Sequence, residues 1–253
     1  MKTLILLAIV GSLAFAQAPA AKTGTAKTGA ATTGAAKKTG TAPASSSARL
    51  ANPALWTKQA PEEYKTKLAT TKGDIVIDVH RDWAPRGADR FYNLVRSGYL
   101  NNAAFYRVAP GFIVQFGAAA DPKVGAVWEK STIKDDPVKH SNKPYTITFA
   151  ATGQPHSRTT ELFINLRDNA GLDPQGFAAF GEVVEGKEVV DQIYSGYGEM
   201  AEQGGKGPSQ QLLKMQGKAY LDKNFPKLDS IKTATIISGE PAAAPKPAAP
   251  ATK

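Results

Sequence analysis

Hydrophobic and polar residues alternate in short runs over much of the chain. In 68–79, alternate positions are apolar on both sides of a TKGD segment at 71–74, a pattern typical of a β-hairpin. Further β-type runs lie at 105–116, 145–150, 161–166, 177–184 and 230–238. Many short strands with few helices predict a mainly β fold, either a barrel or a sandwich.

Three helical segments interrupt the strands. In 85–98 a leading proline is followed by apolar residues at helical spacing from Ala88, and Ser-Gly closes the pattern. Glu-Gly precedes a second helix, predicted from Lys187 to about Tyr194. An amphipathic pattern after Pro208 predicts an extra helix near 208–225.

The first sixteen residues have the pattern of a secretory signal peptide. Lys2 precedes an apolar stretch, and Ala14-Phe15-Ala16 fits the small-x-small cleavage rule. The stretch is shorter than the ~20 residues of a membrane span. We therefore expect cleavage near Ala16 and a periplasmic or extracellular protein; the alternative is an uncleaved anchor.

Residues 17–60 and 240–253 are predicted to be disordered, the first as a linker and the second as a Pro/Ala-rich tail. Ala, Thr, Gly, Lys and Ser dominate 17–50, and such segments bury too little apolar surface to offset the entropy lost on ordering. The folded domain is therefore placed at 61–239.

Charge and cysteine content narrow the function. The net charge is +9, but 61–239 holds 22 basic and 21 acidic residues, so no nucleic-acid surface is predicted. The absence of Cys excludes disulfides, thiolate metal sites and a cysteine nucleophile. No heptad or long apolar edge is present, and we expect a monomer without a stable membrane span.

Standard catalytic motifs are missing. The three His are far apart, no Gly-x-Ser-x-Gly occurs, and Gly-Gly-Lys-Gly at 204–207 lacks the other residues of a phosphate-binding loop. We therefore predict no metal and no cofactor. One unusual feature is Arg107 inside a strongly apolar strand. Such an Arg, if buried, must be paired or face a ligand; alternatively it lies on an edge strand and reaches water.

The residues around Arg107 resemble the cyclophilin family. FYRVAPGFIVQ at 105–115 is similar to the cyclophilin motif F-[HY]-R-V-x-x-G-F-x-x-Q. TELFIN at 160–165 resembles S-Q-F-F-I, and Leu172-Asp173 followed by FGEV at 180–183 resembles L-D…F-G-x-V. The resemblance covers about residues 66–238, with three blocks in the same order and spacing.

This resemblance implies a closed eight-stranded antiparallel β-barrel capped by two helices, and peptidyl-prolyl cis-trans isomerase activity on proline-containing unfolded or flexible polypeptides. Arg107 would be catalytic, and Gln115 would orient it and contact the substrate. The residues implied to line the proline pocket are Phe112, Ile113, Phe163 and Leu172. Phe177 would stand where the family often has His, and Ala150 or Ala151 would supply a backbone contact.

Glu161 stands where the family usually has Gln. Its carboxylate could pair with Arg107 and lower activity, or accept a hydrogen bond from the substrate backbone. The first reading favours an alternative function, a non-catalytic module of the same fold that binds proline-containing peptides.

Prolyl isomerisation requires no nucleophile, acid/base pair or metal, which agrees with the lack of such motifs in this sequence. An X-Pro bond rotates over a barrier of ~18–20 kcal/mol because the amide is conjugated, and no bond is made or broken. The catalyst needs an apolar socket for the ring and a fixed donor for the nitrogen, whose lone pair becomes basic in the twisted state. Arg, always charged and rigid, can supply that donor.

Overall fold

The computed structural model describes residues 46–239 of the chain. The predicted signal peptide, most of the predicted linker and the tail at 240–253 lie outside the described residues.

In the described part of the chain, eight antiparallel strands form one curled sheet, in agreement with the mainly β fold that the alternating pattern predicts. They are β1 (Glu63–Thr70), β2 (Asp74–His80), β3 (Arg107–Ala109), β4 (Ile113–Phe116), β5 (Thr146–Phe149), β6 (Leu162–Asn165), β7 (Ala179–Glu185) and β8 (Ile231–Ser238). Their order in the sheet is β3-β4-β6-β5-β7-β2-β1-β8. The mainly β fold is therefore confirmed.

The closed barrel expected from the resemblance is not confirmed. The sheet has two edges, β3 and β8, and no ladder joins these two strands within the described chain. An isolated bridge pairs Ala104 with Ser230, and Phe105 N–H donates to the Asp229 carbonyl oxygen at 2.9 Å. The Asn102 N–H and the Ala103 carbonyl oxygen also bond to the backbone of Ile231, so the segment before β3 meets the start of β8 while the two edge strands themselves stay unpaired.

Between residues 46 and 239, six α-helices accompany the sheet. They are α1 (Ser46–Leu50), α2 (Pro85–Ser97), α3 (Pro122–Trp128), α4 (Lys187–Asp191), α5 (Gln210–Gln216) and α6 (Lys218–Asn224), with short 3-10 turns at Pro53–Leu55, Ala170–Gln175 and Ala201–Gln203. The single helix predicted near 208–225 is two helices, because Gly217 between them takes φ +62°. Within 46–239, no helix is long and apolar enough to cross a membrane.

Alternation along the strands separates the two faces of the sheet. Val108, Val114 and Ile164 pair across β3, β4 and β6 and belong to the main hydrophobic core. On that side α2 packs the ring of Phe91 against Phe180, with 5.3 Å between centroids. The neighbouring positions on these strands therefore point away from the core.

The folded region begins earlier than the sequence analysis placed it. Residues 46–60, assigned to a disordered linker, include α1 and are fastened to the domain. The Trp128 indole N–H donates to the Leu50 carbonyl oxygen at 2.8 Å, and Asn93 bonds both backbone groups of Lys58. The boundary at residue 61 is therefore wrong, because these backbone groups find partners in α2 and α3.

A buried ion pair fixes the start of α2. The Asp136 side chain is fully buried and accepts hydrogen bonds from the backbone N–H groups of Arg86 and Gly87, at 3.1 and 2.9 Å. It also pairs with the buried guanidinium of Arg158 at 3.2 Å. A carboxylate at a helix N-terminus satisfies N–H groups that have no partner within the helix.

Replacing Asp136 should therefore destabilise the domain strongly. We expect Asp136→Ala to lower the free energy of unfolding by about 3–5 kcal/mol, since Arg158 and two helix N–H groups lose a buried partner. Urea unfolding would measure the change. The control is Asp135→Ala at the neighbouring, partly exposed carboxylate, with an expected loss of about 1 kcal/mol or less. Equal losses in the two variants would contradict this account.

Candidate active site

A row of three side chains crosses the sheet on the face opposite the main core. In the antiparallel register Arg107 of β3 lies opposite Gln115 of β4, and Gln115 lies opposite Phe163 of β6. The turn between β3 and β4 closes through the Phe112 N–H, which donates to the Ala109 carbonyl oxygen at 3.0 Å, with Gly111 at φ +66°. The Pro-Gly turn thus sets the register that places Gln115 beside Arg107.

Arg107 is buried, with 1% of its surface exposed, although it lies on an edge strand. Its Nε and Nη2 donate to the two carboxylate oxygens of Glu199, at 2.6 and 3.1 Å, and its Nη1 donates to Gln115 Oε1 at 2.9 Å. The reading in which this Arg reaches water is therefore wrong. A guanidinium has five N–H groups. Within 46–239, one N–H on Nη1 and one on Nη2 have no protein acceptor.

Glu161 does not pair with Arg107, which removes the first of its two predicted roles. Its oxygens accept hydrogen bonds from the Tyr106 hydroxyl at 2.7 Å, Gln115 Nε2 at 3.1 Å and Gln210 Nε2 at 2.9 and 3.0 Å. Gln115 therefore bridges the guanidinium and the carboxylate. It accepts from the first and donates to the second.

Tyr106 holds its proton firmly in this network. Burial raises the pKa of its hydroxyl well above the usual value, and the negative charge of Glu161 raises it further. The hydroxyl therefore remains a donor to Glu161 across the physiological pH range.

An apolar cluster lies beside the polar row. Ile113, Phe163, Leu172 and Phe177 are buried together, and Phe112, Ala150 and Ala151 are half-buried against them. The rings of Phe163 and Phe177 meet edge to face with centroids 5.8 Å apart. The Arg107 guanidinium lies over the Phe112 ring, 5.8 Å from its centroid. Charge and apolar surface are therefore in contact.

The backbone N–H groups of Ala150 and Ala151 differ in whether they already have a hydrogen-bond acceptor. Ala150 N–H donates to the Glu161 carbonyl oxygen at 2.9 Å, which extends the pairing of β5 and β6. The N–H of Ala151 has no acceptor among the described residues. Of the two alternatives, Ala151 is the one with a free backbone donor.

A cleft of about 220 Å³ joins these groups. Its walls include Arg107, Gln115, Ala150, Ala151 and Glu161, together with residues that the sequence analysis did not select. These additional residues are Glu129, Thr152, Ser157, Thr159, Met200, Gln203, Gln210 and Lys214. The cleft is therefore polar on one side and meets the apolar cluster at the alanines.

Lys214, which lines the cleft, stays positively charged. Burial by itself would lower the pKa of Lys214, but Glu161 and Glu129 outweigh burial and raise it. Lys214 Nζ lies 3.0 Å from Glu129 Oε1. The walls of the cleft thus contain both positively and negatively charged side chains.

The structure brings together every residue selected from the sequence. Arg107, Gln115 and Glu161 form the polar network, and the other seven form or border the apolar cluster. The sequence analysis missed Glu199 and Gln210, which reach the site from the segment between α4 and α6. No local pattern marks them, because their contacts span 92 and 49 residues.

The family model and the relatives that match this chain belong to the same family. Residues 65–216 match the model of the cyclophilin-type peptidyl-prolyl cis-trans isomerase family. A peptidyl-prolyl cis-trans isomerase of Streptomyces antibioticus is 35% identical over 140 residues, which cover 50% of this chain and 81% of the relative. Peptidyl-prolyl cis-trans isomerase B of Escherichia coli is 37% identical over 132 residues, covering 49% and 80%.

The fold agrees with a solved structure. The crystal structure of a cyclophilin-type isomerase from Cryptosporidium parvum superposes with a TM-score of 0.51 at 18% identity, over 70% of this chain and 99% of that one. Sequence and fold together lead to one assignment: the chain belongs to the cyclophilin-type peptidyl-prolyl cis-trans isomerases, enzymes of class EC 5.2.1.8.

Proposed function

We propose that Arg107 catalyses the isomerisation by donating a hydrogen bond to the prolyl nitrogen while the peptide bond is twisted. The observation that carries this proposal is a buried guanidinium in contact with an apolar cluster, with two N–H groups that find no acceptor among residues 46–239. In the planar ground states the nitrogen lone pair is delocalised and accepts poorly. The hydrogen bond therefore forms only in the transition state and raises kcat.

The apolar cluster would hold the proline ring. Ile113, Phe163, Leu172 and Phe177 supply a floor with no polar side-chain atoms, and Phe112 contributes the edge nearest Arg107. An apolar surround also strengthens a hydrogen bond to a charged donor, because water competes less. Ala151 N–H is the backbone group available to the peptide on the polar side.

The substrates we propose are proline-containing segments of exported or unfolded polypeptides. The exported class is supported only by the sequence of residues 1–16, with Lys2, its apolar stretch and the Ala14-Phe15-Ala16 site.

Loss of the guanidinium should abolish most of the activity. We expect Arg107→Ala to lower kcat/KM by roughly 10²–10³-fold, the usual effect of removing one transition-state donor. A protease-free isomerase assay on a proline peptide measures the rate, with Arg96→Ala, an exposed Arg on α2, as the charge-matched control. Equal rates for wild type and Arg107→Ala would refute the role. Peptide binding by wild type without faster exchange would support the non-catalytic module.

Loss of the Phe112 ring should weaken binding more than turnover. We expect Phe112→Ala to raise KM by roughly tenfold, because a proline ring loses apolar surface on one side. The same assay, run at several peptide concentrations, separates KM from kcat. Leu55→Ala removes a comparable apolar side chain that is 56% exposed and outside the cluster, and should leave KM unchanged. An unchanged KM in Phe112→Ala would mean that the proline ring of the substrate does not bind against Phe112.

Export should leave a shortened chain. We expect the mature protein to begin at Gln17, following cleavage after Ala16. Expression in a Gram-negative host, fractionation and mass spectrometry of the intact protein would give its mass and compartment. Full-length protein in the cytoplasmic fraction would contradict export.

A further inference from the structure

Glu199 reaches the site on a segment that is held in place by the buried side chain of Met200. It lies between α4 and the 3-10 turn Ala201–Gln203, and the next residue, Met200, is 1% exposed. Met200 packs in a second hydrophobic cluster with Tyr106, Leu213 and Tyr220. The residue that follows the carboxylate is thus fixed under α5 and α6.

The glycine run at 204–207 tightens this anchor. Gly207 N–H donates to the Glu199 carbonyl oxygen at 2.8 Å, and Gly205 N–H donates to the Met200 carbonyl oxygen at 3.0 Å. A Cβ at Gly207 would lie 2.7 Å from the Glu199 carbonyl oxygen, and one at Gly205 would meet the same atom. The glycines therefore let the chain fold back closely on Glu199.

The carboxylate occupies only one edge of the guanidinium. Its oxygens take Nε and Nη2, which form the side edge of the Arg107 fork. The remaining N–H groups belong to the two terminal nitrogens, Nη1 and Nη2. Within 46–239, Glu199 is the only acidic side chain that forms an ion pair with Arg107.

We propose that Glu199 is a positioning residue for the isomerase reaction, which holds the Arg107 fork by its side edge and leaves its end for the substrate. This inference rests on the proposed catalytic role of Arg107. The side chain of Glu199 is 36% exposed, whereas the side chain of Arg107 is 2% exposed. The carboxylate is therefore partly solvated and supplies the charge partner that the buried cation needs. A fixed donor loses little entropy when the peptide twists.

The test compares Glu199→Ala, Glu199→Gln and the control Glu202→Ala in the protease-free assay, each with and without Arg107→Ala. Glu202 is on the same segment but accepts from Ser209 and Gln211, and not from Arg107. We expect Glu199→Ala to lower kcat by roughly 10- to 100-fold. KM should stay within about twofold, because the lost alignment acts in the transition state.

The conservative variant and the double variant identify the route of the effect. Glu199→Gln keeps one acceptor without the charge, and we expect a smaller loss of about threefold in kcat. In the Arg107→Ala background, Glu199→Ala should cause no further loss, since its effect passes through the missing guanidinium. In wild type, NMR should show the Arg107 Nε proton protected from exchange, and Glu199→Ala should remove that protection.

Several outcomes would overturn the inference. A higher kcat in Glu199→Ala would mean that the carboxylate competes with the substrate for the guanidinium. An equal loss in Glu202→Ala, or a further loss in the Arg107→Ala background, would mean that the segment is needed for folding alone. Full activity in Glu199→Ala with loss in Arg107→Ala overturns positioning but keeps the proposed function. Full activity in Arg107→Ala overturns both.

Discussion

The site is organised around the need to stabilise a guanidinium away from water. Arg107 lies on an edge strand, yet almost none of its surface is exposed, and an aromatic ring lies beneath it. A buried cation without partners would be strongly destabilising. Glu199 and Gln115 meet that need from different directions, one with charge and one with an amide oxygen. The rest of the site is arranged so that these two partners reach the fork.

The sheet and the inserted helices divide this work. Period-two alternation sends Val108 and Val114 into the core and places Arg107 and Gln115 on the opposite face. An outward face would normally be solvated. Here the segment that contains α5 and α6 covers part of it, anchored through Met200 and Leu213. The face that carries Arg107 and Gln115 is thus partly covered by residues distant in the chain.

The division also explains what could be predicted. The strands and α2 follow from local periodicity, which a sequence displays directly, whereas the pairing of Arg107 with Gln115 is expected from the resemblance to the family motif. Glu199 has no periodic signal, because a loop with several glycines places it. The helix α3 has only two buried residues, Val124 and Trp128, and shows almost no amphipathic pattern. The folded part of 46–60 has too few apolar residues for a periodic pattern, but its Leu50 and Trp56 side chains pack against the main core and its backbone groups bond to α2 and α3.

Glu161, the departure from the family pattern, has a structural consequence at Gln115. The Gln115 amide could lie in either of two orientations, with its oxygen or its NH₂ toward Arg107. A carboxylate accepts hydrogen bonds and donates none, so Gln115 can bond to Glu161 only through its NH₂ group. The oxygen must then face Arg107 Nη1. A Gln at position 161 could meet either end of the Gln115 amide, so the guanidinium alone would select the orientation, whereas Glu161 and the guanidinium both select the same one. The carboxylate therefore acts on Arg107 through Gln115, at a distance that avoids direct competition for its protons.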